Sequence, residues 1–267
     1  MSITSFISVG ENIHCTRIFK VGGTTCKQLS DGSFGIEYKT QEKQTRVLKV
    51  PETFTKNSDW QSGKVKHCAV AIWQALNNDK ETGTDYIQQL ALAQEKNGAF
   101  YLDLNVDEYS TDVDEKIKVM SWLVKTVEKV VKIPVSIDSS NEAILEAGLM
   151  AADKTRGRPM VNSVSLERKA AVKIAAKYNA VVIASAAGEK GLPESMEERI
   201  ANIDAIIKIL QENKFQLSDI HVDPLVFPIS VNPMNGKIFL DTVATVRNKY
   251  GKDIHICLLY TSPSPRD

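Results

Sequence analysis

From residue 85 onward the chain repeats one pattern: a short apolar run, often ending in Asp or Asn, followed by a longer stretch with apolar residues every three or four positions. The short runs fit strands buried on both faces, and the longer stretches fit amphipathic helices. Residues 85–97 predict a helix stopped by Gly98. Residues 100–106 predict strand two, 114–131 helix two, 134–137 strand three and 142–149 its helix. Residues 159–165, 168–178, 180–186, 197–213, 220–226 and 236–250 continue the alternation, and 253–256 open a seventh strand. Upstream, residues 5–13 predict strand one, with Glu11 near its end.

Alternating strands and helices build a parallel sheet, and the commonest large closed form has eight units. The predicted fold class is therefore α/β, a (β/α)8 TIM-type barrel incomplete at the C-terminus, with about six and a half units. Residues 14–80 break the pattern. Two runs there, 35–40 and 45–50, alternate apolar and polar residues as an exposed hairpin does, and 67–76 reads as helical. The expected organisation is one barrel domain over residues 1–256 with 14–80 inserted after strand one. Residues 257–267 carry two prolines where a seventh helix should start. From Leu258 they resemble the translation of a sequencing adapter, so the expectation is a non-native tail on a truncated reading frame; a genuine disordered tail is the alternative.

Composition narrows the picture. The chain has 267 residues, is 43% hydrophobic and has a formal net charge of zero. That length allows one barrel or two small domains. Zero net charge offers no field for nucleic acid or an anionic membrane, and no apolar run reaches the ~18 residues of a membrane span. The first residues lack the basic and apolar regions of a secretory signal. Cys15, Cys26, Cys68 and Cys257 are scattered, which reads as reduced thiols in a cytoplasm. His14, Cys15, Cys26, His67 and Cys68 lack the tight spacing of a zinc site.

The candidate chemistry lies at the strand ends. Asp103 and Asn105, Asp138, Asn162 and Asp223 close successive predicted strands. In α/β folds the carboxyl ends of strands are where ligands bind. Singly, each has a plainer reading: Asp138 as part of a helix cap, Asn162 as locally satisfied, Asp223-Pro224 as a turn and Glu11 as a structural carboxylate.

The order of motifs resembles the pterin-binding barrel family, and most closely its methyltetrahydrofolate:corrinoid methyltransferases. The shared features are Gly10-Glu11, Leu-Asp-Leu-Asn-Val at 102–106, Ile137-Asp138-Ser139 with Glu-Ala-Gly-Leu at 146–149, Asn162-Ser163, and Asp-Pro-Leu-Val-Phe-Pro at 223–228. The resemblance implies that Asp138, Asn162, Asp223 and Asn105 bind a pterin and that Asp103 and Glu11 serve catalysis. It implies tetrahydrofolate as the methyl-donor substrate, a corrinoid (cobalamin) on a partner protein, no metal on this chain, and a homodimer. His14 stands where the family usually has Asn, and the family's Ser-Asn-x-Ser segment of strand seven is missing. The pterin's guanidine-like edge suits a carboxylate fork, here assigned to Asp223. The alternatives are a dihydropteroate synthase, against which Leu-Asp-Leu-Asn-Val counts, and an inactive pterin-binding fragment.

Overall fold

Alternate residues of a strand point to opposite faces, so two neighbouring parallel strands in register expose like positions on one face. A computed structural model describes residues 6–258 of the chain. It forms two compact units, Met1–Gly157 and Arg158–Asp267. The fold class is α/β, an incomplete TIM-type barrel. The first five residues and 259–267 lie outside the described residues, and with them most of the tail expected to be non-native.

In the first unit, β1 (Val9–His14), β7 (Tyr101–Asn105) and β8 (Val135–Asp138) are parallel neighbours. Between β1 and β7 lie β2 (Ile18–Lys20), β3 (Cys26–Gln28), β4 (Phe34–Lys39), β5 (Thr45–Lys49), the one-turn helices α1 (Glu52–Thr55) and α2 (Ser58–Gln61), β6 (Lys64–Lys66), α3 (His67–Asn77) and α4 (Lys80–Lys96). Helices α5 (Val113–Glu128) and α6 (Glu142–Ala151) follow β7 and β8. Leu102, Leu104, Val135 and Ile137 are fully buried on the face shared by α4, α5 and α6. The opposite face of the same strands carries Asp103, Asn105, Ser136 and Asp138.

The inserted hairpin is present as β4 and β5, but it is the centre of a larger structure. A third strand, β3, pairs with β4, and β2 pairs with β6 as a separate antiparallel ribbon. Three-residue strands carry no readable period, which is why the pattern shows only the hairpin. Helix α4 begins at Lys80, five residues before the predicted start, with the Asp79 carboxylate accepting from Thr82 N at 3.0 Å as its cap.

Strand β1 starts at Val9, later than predicted, and runs on to His14. Its register against β7 shifts between Gly10 and Ile13. Gln94 of α4 enters this bulge and its side-chain oxygen accepts from Asn12 N at 2.9 Å. A Cβ on Gly10 would lie 2.6 Å from that same oxygen, so any other residue there would have to push the Gln94 amide away from Asn12 N. The extra residue leaves Glu11 inside the strand and brings His14 level with Asn105.

In the second unit, β9 (Met160–Val164), β10 (Val181–Ser185), β11 (Ile220–Asp223) and β12 (His255–Ile256) are parallel in that order. Helices α7 (Lys169–Lys177), α8 (Met196–Glu212) and α9 (Asn235–Tyr250) connect them. Val161, Val182, Ala184, Ile220 and Val222 are buried, while Asn162, Ser185, His221 and Asp223 occupy the other row. Strand β11 ends at Asp223 rather than at 226, because Asp223 opens a turn: its Oδ1 accepts from Leu225 N at 3.0 Å, and Leu225 has φ +62°. Among the described residues no helix is long and apolar enough to cross a membrane, and Cys15, Cys26 and Cys68 are buried free thiols.

Candidate functional site

In the first unit the register places His14, Asn105 and Asp138 side by side on one face, with Asp103 and Ser136 one step lower. His14 Nε2 lies 2.7 Å from Asp103 Oδ2, and its Nδ1 lies 4.0 Å from Asp138 Oδ2. Asn105 Nδ2 donates to Asp138 Oδ2 at 2.9 Å, and Asn105 Oδ1 accepts from Asp107 N at 2.9 Å. Asp138 is therefore no helix cap. That role belongs to Asn141, whose Oδ1 accepts from Ala143 N and Ile144 N. Asp107 accepts from Ser139 Oγ and from Ser140 N and Oγ at 2.5–2.9 Å, which pins the loop directly after Asp138. Glu11 pairs with Arg17 at 3.1 Å.

Asp103 is fully buried and Asp138 is the more open of the pair, its side chain 27% exposed. A buried charge is costly unless it is paired, and these groups respond accordingly. Burial, and then the Asp103 charge, push the Asp138 carboxyl up to about 7, against the lowering effects of His14 and Asn105. The same two causes raise Glu11, which His14 and Arg17 partly offset. Burial alone would lower His14, but the Asp103 hydrogen bond and the charges of Asp103, Asp138 and Glu11 outweigh it, and the net shift is upward. Ser136 Oγ is buried without a hydrogen-bond partner, in register with Asp103.

Among the described residues, His14, Asp103 and Asp138 form a group whose metal-ligand atoms lie within 4.8 Å of one another. The imidazole turns opposite nitrogens to the two carboxylates, however. One ion needs a single ring nitrogen and both oxygens about 2 Å from one point, whereas a ring bridging two carboxylates suits a shared proton.

In the second unit, Asn162 is in register with Ile183, and Asp223 with Ser185, so both face the row that carries His221. Asn162 and Asp223 are 9% and 3% exposed. Burial pushes the Asp223 carboxyl up to about 6, despite the Leu225 amide and the Arg199 charge. Arg199, almost fully buried, donates to Pro224 O at 2.6 Å and to Leu225 O, and its guanidinium sits 4.4 Å over the Phe227 ring. That holds the chain just past Asp223. The turn reading of Asp223 is thus correct for one of its oxygens. His221 stacks on His255 with ring centres 4.5 Å apart.

Of the predicted residues, the first unit brings Asp103, Asn105 and Asp138 into one network and leaves Glu11 beside it on Arg17; the second carries Asn162 on β9 and Asp223 on β11, on one face of their sheet. Sequence reasoning missed His14 as a member of the network, along with Asp107 and Arg199. The polar ending of the first predicted strand was the available signal for His14. Two surface depressions, one around Arg46, Lys80 and Asp85 and one around Arg158, Asn179 and Asp219, include none of these residues.

The family described as pterin binding enzymes matches residues 78–262. A methylcorrinoid:tetrahydrofolate methyltransferase of Eubacterium limosum is 24% identical over 182 residues, covering 66% of this chain; the chain spans 65% of that relative's length. Among solved structures, dihydropteroate synthase of Yersinia pestis with a pterine-sulfa conjugate superposes with TM-score 0.49 at 16% identity, covering 62% of this chain and 63% of its own. The Xanthomonas albilineans dihydropteroate synthase in complex with 7,8-dihydropteroate gives TM-score 0.48 at 13% identity, with 67% and 65% covered.

Proposed function

We propose, from the premise that this chain belongs to the pterin-binding enzyme family, that it transfers the methyl group of 5-methyltetrahydrofolate to the cobalt of a corrinoid carried by a partner protein. The observation that carries this reading is the polar row Asp103, Asn105 and Asp138, held in one network within the Leu-Asp-Leu-Asn-Val and Ile-Asp-Ser motifs. The Eubacterium limosum relative is named for the opposite direction, in which the same bonds are made and broken.

Asp138, Asn162 and Asp223 are the proposed pterin contacts. The pyrimidine edge of a pterin presents an exocyclic amine and a ring N–H side by side. Asp223 suits that edge: Leu225 N occupies one acceptor site on Oδ1, and a carboxylate has about four. Asn162 can both donate and accept. Asp103 and Glu11 serve catalysis by setting the proton inventory beside the ring. The tertiary amine N5 leaves poorly unless it gains a proton as the methyl departs, and help of that kind is worth roughly 10²–10⁴-fold. The corrinoid supplies the nucleophile, so the protein's part is positioning and activation.

The test uses the 267-residue chain. Calorimetry should show 5-methyltetrahydrofolate binding, weakened about 10-fold or more by Asp223→Ala and by Asn162→Ala, since each leaves a ligand polar group unpaired at a cost of ~1–3 kcal/mol. Absorbance should show methylation of free cob(I)alamin. Unchanged binding by both variants, or dihydropteroate formation from a pterin pyrophosphate and p-aminobenzoate with no corrinoid present, would overturn the reading.

A further inference from the structure

His14 has no role in the reading above, yet it is the hub of the first unit's polar row. Its ring is buried between two carboxylates on different strands, 2.7 Å from Asp103 and 4.0 Å from Asp138, through opposite nitrogens. A neutral imidazole can donate to one of them, whereas an imidazolium donates to both. The charges around it are Glu11 on its own strand, Asp103 on β7 and Asp138 on β8. Arg17 is a nearby cation, and Glu11 already engages it. Helices α3 and α4 beside β1 carry His67, Cys68 and Tyr86, all buried in their neutral forms: burial pulls His67 down to about 3, pushes Cys68 up to about 12 and raises Tyr86. The surroundings therefore favour a cation on His14. Of the two carboxylates, Asp138 is the one with an exposed edge that a ligand can reach.

We propose that His14 is the proton reservoir of the methyl-transfer site, clamped by Asp103 and exchanging its proton with a bound pterin through Asp138. The proposal rests on the methyl-transfer reading. As the methyl leaves, the electron pair of the N5–carbon bond stays on N5, which takes a proton from Asp138. Co(I) supplies the pair for the new cobalt–carbon bond and becomes Co(III). His14 returns a proton to Asp138 and is itself recharged from solvent. The 4.0 Å separation is about 1 Å beyond hydrogen-bond reach, and such contacts commonly tighten when ligand binds. One proton is taken up per methyl transferred, and one is released in the reverse direction. Asp103 is a positioning residue here, since it acts through the ring.

Two measurements on the full chain test this. Nitrogen-15 NMR of the imidazole should show a ring protonated at both nitrogens at pH 7, and a neutral ring there would overturn the proposal without any variant. Methyl transfer to cob(I)alamin should then be followed against pH for the wild type, His14→Asn and His14→Ala. The expected result is a KM for 5-methyltetrahydrofolate within about threefold of wild type, kcat lowered at least about tenfold with the near-neutral inflection moved to higher pH as Asp138 loses the lowering effect of His14, and partial rescue of His14→Ala by added imidazole. Wild-type turnover with kcat and pH profile unchanged in both variants overturns the reservoir alone. No turnover by the wild type overturns the methyl-transfer reading, and the reservoir with it.

Discussion

Asp138 costs the fold stability at neutral pH. Its carboxyl titrates at about 7 in the folded chain, against an ordinary 3.8. A raised carboxyl favours the fold fully below 3.8 and loses that contribution as pH rises through 7. Asp138→Asn keeps an acceptor for Asn105 Nδ2 and removes the buried charge. The variant should be more stable than wild type by about 1–3 kcal/mol at pH 8, with the advantage gone near pH 4. Urea unfolding at the two pH values measures it, and equal stability at pH 8 would count against the assigned burial. At this scale the sequence showed which residue types close the strands, because Asp and Asn are conspicuous after apolar runs. It did not show which of them touch. His14 enters the network only through a one-residue bulge that depends on Gln94, 80 residues downstream, and no local pattern encodes that.

The strands and helices were the most legible elements. Strands β7 to β11 and their helices lie within a few residues of the expected positions, because apolar rows facing the helices impose a period. The misses occur where packing overrides local preference. Residues 80–84 contain Thr-Gly-Thr, poor helix material, yet they form the first turns of α4. Gly83 is there because α4 crosses α3 closely: an added Cβ would lie 2.4 Å from both Ala71 O and Ala75 N. These are backbone atoms that cannot swing aside. Gly83→Ala should therefore lower stability by about 1–3 kcal/mol through overpacking, although alanine is the better helix former by about 1 kcal/mol. Gly236 in α9 meets only an Ile229 methyl at 3.6 Å, so Gly236→Ala should be neutral or stabilising by up to about 1 kcal/mol. Paired melting curves check both, and two shifts of the same sign would refute the packing account.

At the scale of the molecule, each unit sets a buried histidine with a lowered pKa against a buried carboxyl with a raised one. In the first, His67 titrates at about 3 and Asp138 at about 7; in the second, His221 titrates at about 4 and Asp223 at about 6. The lowered histidines stabilise the fold above 6.5 and lose that contribution as pH falls; the raised carboxyls do the reverse. Each group contributes a slope of at most about 1.4 kcal/mol per pH unit, and the opposed slopes overlap between about pH 4.5 and 6. Wild-type stability should change by less than about 1 kcal/mol across that window. Removing the carboxyls in Asp138→Asn/Asp223→Asn should uncover a fall of about 1–2 kcal/mol per pH unit on acidification. Denaturant titrations across the window decide it, and an equally flat double variant would reject the balance. None of this was visible in the sequence, where four histidines in 267 residues carry no sign of their burial.

The two rows of each strand also divide the labour of descent. The side chains turned toward the helices answer to shape and hold the scaffold, while those turned the other way answer to whatever is bound. A lineage can exchange an amide for an imidazole on the second row and leave the first untouched. Relatives that have drifted to low identity can then share a scaffold while differing in where they keep a proton.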